Sequence, residues 1–501
     1  MSFKQGFISE GNKTFTTNGA EVYKSTMDNI VDLFGTIGDI IGFDEDKIIP
    51  TFINALNEDK ELAIKTLFYS RDCRGGMGSR IAFLTIAKYL IENNQGDYIY
   101  NNLGFICEFG RFKDLVELNL SLSETLAEPI TKFMVEYLFD EKIKFDSHVI
   151  KELSLAWKWL PTINSRSNHT RKKAKKLLSR FNKVHNYFKM YSYQKEVSKY
   201  RKLLKIVERD ICANTFENIN YPSVPSKCMN MNYGLFYKKD EDRFTKYLEE
   251  LKQGKTKINS SVLFPADIVH KYLGHLNDYY SGTQDVLEEQ WKALPNYFTK
   301  PMNIIPLADT SGSMYGKPME VSIALSIYLA ERNPSEAFKD LILEFGHDAH
   351  LYDISKRPRL IDKINGFNND CGNTNLEKAF NRILKIGLDN KLKQEDMPSH
   401  LVIISDMQFD SATTSNDNYG LINNIRDKFK QNGYELPQII YWNVNNNNNF
   451  PELSKDGICY VSGYSPAIMT AVLNAEMLTP IEVVKQAVLV DRYKHIWYKG
   501  E

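Results

Sequence analysis

The spacing of apolar residues changes near residue 300. Before that point it follows a helical period: Glu61–Tyr69 and Ile81–Ile91 carry apolar positions three and four residues apart. Further helices are expected near 112–120, 124–140, 148–159, 170–190 and 194–211. Many helices with short connections predict paired antiparallel helices, in a HEAT-like repeat arrangement. From about 300, apolar β-rich runs at 303–308, 341–346, 400–405, 438–444 and 458–462 alternate with helical runs at 317–332, 375–388, 418–432 and 466–474. That alternation predicts a doubly wound, mostly parallel sheet. The expected fold is therefore α followed by α/β. A helical domain spans 1–298, an α/β domain 299–476, and a C-terminal helical tail at 477–501 packs back.

Composition narrows the class. Hydrophobic residues make up 43% of the 501 and charged residues 25%, as in ordinary globular proteins. No apolar run approaches the roughly 20 residues of a membrane span, and no signal peptide is read at Met1-Ser2-Phe3-Lys4-Gln5. Six scattered cysteines without a C-x-x-C pair argue against a disulfide framework, so a reducing, cytoplasmic location is expected. Net charge is zero but uneven. Residues 301–501 hold 20 Lys and Arg against 25 Asp and Glu, leaving 43 against 38 for the first 300.

The sharpest chemical signal is Asp309-Thr310-Ser311-Gly312-Ser313, at the end of a predicted strand and just before a predicted helix. One carboxylate and two hydroxyls at alternate positions of a tight turn can converge on one point. Such hard oxygen donors suit Mg²⁺, or another divalent ion such as Mn²⁺. Thr374 lies in a loop before a helix, and Asp406 follows the strand Leu401–Ser405. Both meet the first loop if these strands are neighbours, since ligands bind beyond the carboxyl ends of such strands. The competing reading is that Asp309 and Ser311 only order the turn and cap the helix. An aspartic protease is disfavoured because a second Asp-Thr-Gly motif and an all-β pattern are both missing. With no evident general base, no enzymatic activity is expected.

A second signal lies in the helical half. Residues 171–209 contain 14 Lys and Arg and only two acids, Glu196 and Glu208. Lys172, Lys173, Lys176, Arg180 and Lys183 form a cationic stripe opposite an apolar face of Ala174, Leu177, Leu178 and Phe181. Such a stripe can track a phosphate backbone, and Tyr187, Tyr191 and Tyr193 stand close enough to stack on bases if exposed. Arg71, Arg74 and Arg80 around Gly75-Gly76-Met77-Gly78 form a smaller candidate phosphate site. The plain alternatives are a solvated face, core tyrosines, and glycines that merely end one helix and begin the next.

The set Asp309, Ser311, Ser313, Thr374 and Asp406 resembles the metal-ion-dependent adhesion site of von Willebrand factor A domains. That resemblance implies Mg²⁺ binding, with a partner's carboxylate completing the shell. Further stretches, among them Arg74–Arg80, Phe109–Leu115, Tyr200–Leu204, Tyr221–Ser226, Arg243-Phe244 through Gly254–Ile258 and Gly463–Pro466, resemble a TROVE-like family of plants and giant viruses, related to Ro autoantigens. The resemblance implies a helical domain, possibly closing into a ring, that binds structured or single-stranded RNA without catalysis. The alternative expectation is a metal-dependent protein-interaction module with no nucleic-acid role.

Overall fold

The computed structural model describes residues 11–38, 44–146, 153–186, 189–260, 263–274, 281–298, 302–367, 372, 374–410, 421–445, 449–453, 457–463, 468, 470 and 479–499. Of the expected helix at 466–474 only residues 468 and 470 are among them, and the start of the one at 148–159 lies outside them. The helical half matches the predicted period closely: Lys60–Arg71, Ile81–Glu92, Phe112–Ser121 and Glu124–Asp146 are helices. The stretch expected as one helix over 194–211 is two, Met190–Leu203 and Val207–Ala213, parted by Lys205 in a left-handed conformation (φ 46°). Successive helices pack on one another. Residues 216–258 form a separate small core around Tyr221, Phe236, Phe244 and Tyr247.

Eight strands occur among the described residues: β1 (Lys13–Phe15), β2 (Glu21–Tyr23), β3 (Ile304–Asp309), β4 (Leu341–Phe345), β5 (Ala349–Asp353), β6 (His400–Ser405), β7 (Gln438–Asn443) and β8 (Ile458–Ser462). β1 and β2 pair as an antiparallel hairpin. The other six form one sheet in the order β5-β4-β3-β6-β7-β8, all parallel except the edge strand β5. Chain direction away from the centre reverses between β3 and β6, which makes that gap the switch point where such sheets bind ligands.

Side chains alternate across the sheet with period two. Ile305, Leu307, Leu401, Ile403, Ile439 and Tyr441 face the helices Leu376–Asp389 and Leu421–Gln431. Ile304, Ala308, Val402, Ile404, Ile440 and Trp442 join the helix Lys317–Arg332 and the core of the helical half in one continuous cluster. The two halves therefore share a core.

The first and last described segments are both stitched in. The hairpin and the helix Asn29–Thr36 lie on the sheet rather than apart in the helical half. Ala20 and Val31 join the sheet core, and Tyr23 bridges to Phe450. The helix Pro480–Val488 packs on Lys60–Arg71, on Asn29–Thr36 and on β8. Beyond it, Arg492 and the Tyr493 hydroxyl (2.9 Å) bind the buried carboxylate of Asp72. Asn102 exchanges two hydrogen bonds with the Trp497 backbone, at 2.7 and 2.8 Å.

Candidate metal-docking site

Asp309 is the last residue of β3, and Asp406 follows the last residue of β6, its parallel neighbour. Placing both carboxylates at the switch point is thus a consequence of strand order. Ser311 begins the turn and Ser313 lies in its short 3₁₀ segment, Gly312–Met314. The two hydroxyls are 3.2 Å apart. Thr374 stands just before the helix Leu376–Asp389, on a loop stitched to both others. Gly372 O accepts from Gly312 N (3.2 Å) and Thr374 O from Asp410 N (3.0 Å). The fold therefore brings all three loops of the predicted set together.

Asp309, Ser311, Thr374 and Asp406 are buried, while Ser313 is exposed at the rim. Asp309 accepts from Ser311 N (3.0 Å) and from the Ser405 hydroxyl. Burial, reinforced by the charge of Asp406, pushes the Asp309 carboxyl up to about 7. Asp406 is also raised by burial, although the Gln408 N–H and the Ser313 hydroxyl favour its ionised form. The Thr374 hydroxyl oxygen is buried with no hydrogen-bond partner among the described residues. Two crowded carboxylates and an orphaned hydroxyl are what a cation would complete, because buried polar groups ordinarily find partners.

Sequence reasoning missed two supports of this site. Ser405 also accepts from Met407 N (3.0 Å), in a bend where Met407 is left-handed (φ 62°). The N-terminal hairpin holds the following residues: the Thr16 hydroxyl donates to Phe409 O (2.6 Å), Thr17 N to Gln408 Oε1 (2.9 Å) and Asn18 Nδ2 to Gln408 O (2.7 Å). The Asp-x-Ser-x-Ser spacing carries no trace of this hairpin, which lies nearly 400 residues away in sequence.

The predicted nucleic-acid residues fare differently. The stripe lies on the helix Asn168–Val184: Arg180 is buried and Lys173 half-buried against Phe112–Ser121, while Lys172, Lys176 and Lys183 stay exposed. Buried Arg180 donates to Asn119 O, to Asn119 Oδ1 (3.0 Å) and to Leu122 O (2.9 Å). Lys176 donates to Leu120 O (2.9 Å), Lys173 pairs with Glu117 (2.7 Å), and Lys183 pairs with Glu124 (2.5 Å). For Arg180 and Lys176 the physical reason is the unpaired carbonyls and negative dipole at a helix C-terminus, which cations satisfy; Lys173 and Lys183 form ion pairs with carboxylates instead. Lys172 is exposed and makes no bond to another described residue.

In the arginine cluster Arg71 and Arg80 are held by an acid of the fold, while Arg74 is exposed. Buried Arg71 binds Asp114 Oδ2 through two nitrogens (2.9 and 2.6 Å), and Arg80 binds its Oδ1 (2.6 Å). Arg74 donates to Glu108 O (2.9 Å). The turn's own N–H groups go to Asp72 and to the preceding helix, as in Arg74 N to Asp72 Oδ1 (2.9 Å) and Ser79 N to Ser70 O (2.7 Å). A Cβ at Gly76 would stand 2.0 Å from Tyr69 O, so glycine there permits the close return of the chain. Of the tyrosines, Tyr193 is buried, Tyr191 is exposed, and Tyr187 lies outside the described residues.

Comparison with known proteins completes the picture. Residues 303–494 match a domain of unknown function, DUF7788, and residues 123–300 match another, DUF2828. An uncharacterised protein of Acanthamoeba polyphaga mimivirus is 27% identical over 515 residues, covering 94% of this chain and 86% of its own length. The crystal structure of the Ro (RSR) protein of Deinococcus radiodurans aligns over 92% of this chain and 99% of its own, at 12% identity and a TM-score of 0.36. The chain is thus similar along most of its length to a giant-virus protein, and two of its segments, 123–300 and 303–494, match two different domains of unknown function.

Proposed function

We propose that this chain is a non-enzymatic binding protein that docks a carboxylate-bearing partner through a divalent cation. Asp309, Ser311, Ser313, Thr374 and Asp406 would hold Mg²⁺ or Mn²⁺ directly or through water. The cation would supply an open coordination position for the partner's carboxylate. The observation that carries the reading is the buried, unpartnered Thr374 hydroxyl, on a loop stitched to that of Ser311 and Ser313 at the switch point. The resemblance to von Willebrand factor A domains agrees with this donor set.

A binding role is favoured over catalysis by the state of the carboxylates. Asp309 is fully enclosed and both its oxygens already accept hydrogen bonds, so it is poorly placed to exchange protons with a substrate. RNA capture by Lys172, Lys173, Lys176, Arg180 and Lys183 is the second reading: Arg180 is buried within the fold, while Lys172, Lys176 and Lys183 stay exposed. The test is affinity capture from the source cell with Mg²⁺ or with EDTA, using wild type and Asp309→Ala. Partners retained only by wild type with Mg²⁺ are expected. A partner held equally under all four conditions would sink the reading.

A further inference from the structure

The six-stranded sheet has one covered edge and one open edge. At the covered edge, the helix Asn29–Thr36 packs on β8, whose Ser462 hydroxyl donates to Phe34 O (2.9 Å) and accepts from Gly38 N (2.8 Å). At the open edge, β5 pairs with β4 alone. Gly346 N donates to Asp348 O (3.0 Å), and the same antiparallel ladder continues through Glu344 with His350 and Ile342 with Tyr352. Phe345 O, one residue along, accepts instead from Thr310 N (3.0 Å) on the β3 side. Bonded and non-bonded pairs alternate in such a ladder, so the backbone groups of His350 and Tyr352 turn to β4. Those of Ala349, Leu351 and Asp353 turn outward, and no other described residue bonds them.

An open edge invites pairing with another strand, and folds guard against it with Lys, Pro, bulges or cover. β5 reads Ala349-His350-Leu351-Tyr352-Asp353, without Lys or Pro, and its register to β4 is unbroken. His350, Leu351 and Asp353 are exposed, Leu351 at 46%. The outward set is also symmetric about Leu351. Turned end for end, the strand matches itself: Leu351 meets Leu351 of a second copy, Ala349 meets Asp353, and His350 meets Tyr352. This symmetric register pairs all five residues of the strand. No like charges face each other, each Leu351 covers its counterpart, and Asp353 lies diagonal to the exposed His347 of the other copy.

We propose that β5 pairs antiparallel with β5 of a second copy, about a two-fold axis at Leu351, so that the two sheets run on as one. The Leu351–Leu351 pair and both Ala349–Asp353 pairs each exchange two N–H···O bonds. The same patch serves both copies, the form of contact that closes at a dimer. Because the paired strands run opposite ways, the switch-point ends of the two sheets face opposite directions, and the dimer presents its two metal-docking sites back to back. An unrelated strand could take the same backbone bonds but would gain nothing from the symmetry of the outward set. A five-residue ladder is small beside the roughly 1,000 Å² of a stable interface, so the dimer is weak, with a Kd on the order of 10–100 µM.

Sedimentation equilibrium of the full chain, in EDTA so that the metal site plays no part, reads this association. The dimer is expected to fill as concentration rises to about 300 µM. Leu351→Lys and Leu351→Glu each set like charges across the axis and should weaken it by roughly five- to thirtyfold. An equimolar mixture of these two variants should restore it, because residue 351 then faces its opposite charge. Met231→Lys, at an exposed methionine of the helix Ser226–Lys239, should leave it unchanged. Circular dichroism confirms that each variant is folded. A chain that stays monomeric throughout, a dimer indifferent to charge at 351 or weakened as much by Met231→Lys, or a mixture of the Lys and Glu variants that does not associate would each overturn the proposal.

Discussion

Replacing Asp309 with Asn separates the electrostatics of the metal site from its shape. The Asp309 carboxyl is raised from 3.8 to about 7 by burial and by Asp406. A native state that holds a proton more tightly than the unfolded chain loses stability as pH climbs from about 4 to 7. At 1.36 kcal/mol per unit, the penalty at neutral pH is on the order of 2–4 kcal/mol in the cation-free protein. Asn keeps the shape: its oxygen can accept from Ser311 N, and its amide can donate to Ser405. Asp309→Asn should therefore raise the melting temperature of the cation-free protein at pH 7.5, by on the order of 5 °C. At pH 5 the gain should shrink to less than half, and near pH 4 it should vanish. Mg²⁺ should stabilise wild type increasingly from pH 5.5 to 7.5 and leave Asp309→Asn unmoved. Thermal scans with EDTA or Mg²⁺ at each pH read all of this. If Asp309→Asn destabilises the EDTA-treated protein equally at both pH values, the electrostatic reasoning fails.

Other perturbations follow from the same contacts. Asp114→Ala leaves buried Arg71 without its carboxylate and should cost about 3–5 kcal/mol, read by urea denaturation. Arg180→Ala strips the end of Phe112–Ser121 of its donors and should cost roughly 2–3 kcal/mol, whereas Lys172→Ala should be near neutral. Thr16→Val removes the bond to Phe409 O and should cost about 1 kcal/mol; its effect on Mg²⁺ affinity shows whether the hairpin holds the Asp406 loop in place. Asp72→Asn should loosen the C-terminal segment, seen as faster proteolysis after Pro480–Val488 with the rest of the chain protected.

Much of the fold is legible where one physical signal dominates. The helix Lys317–Arg332 and the strands β3, β6 and β7 are apolar enough that length and spacing declare them. β5 is harder to read because, as an antiparallel edge strand, it buries only Tyr352 of its five residues. The hairpin of β1 and β2 has three-residue strands, Lys-Thr-Phe and Glu-Val-Tyr, too short for an alternating pattern to stand out. The grouping of the candidate site is legible because strand ends and loop order fix where Asp309, Thr374 and Asp406 must lie. The cationic residues show the opposite case. Sequence gives the charge of Arg71 and Arg180 but not their partners, and Asp114 and the carbonyls of 119–122 decide their role. A lysine row facing solvent and one closing a helix end look alike until the neighbouring helix is in place.

The central claim is that five oxygen-bearing residues on three loops form one divalent-cation site. Electron paramagnetic resonance of Mn²⁺ titrated into the chain tests it directly. Wild type is predicted to take up one Mn²⁺ per chain, displaced by Mg²⁺, and Thr374→Val and Asp309→Ala should each abolish that uptake while remaining folded. Uptake that is absent in wild type, or unchanged in both variants, would contradict the account.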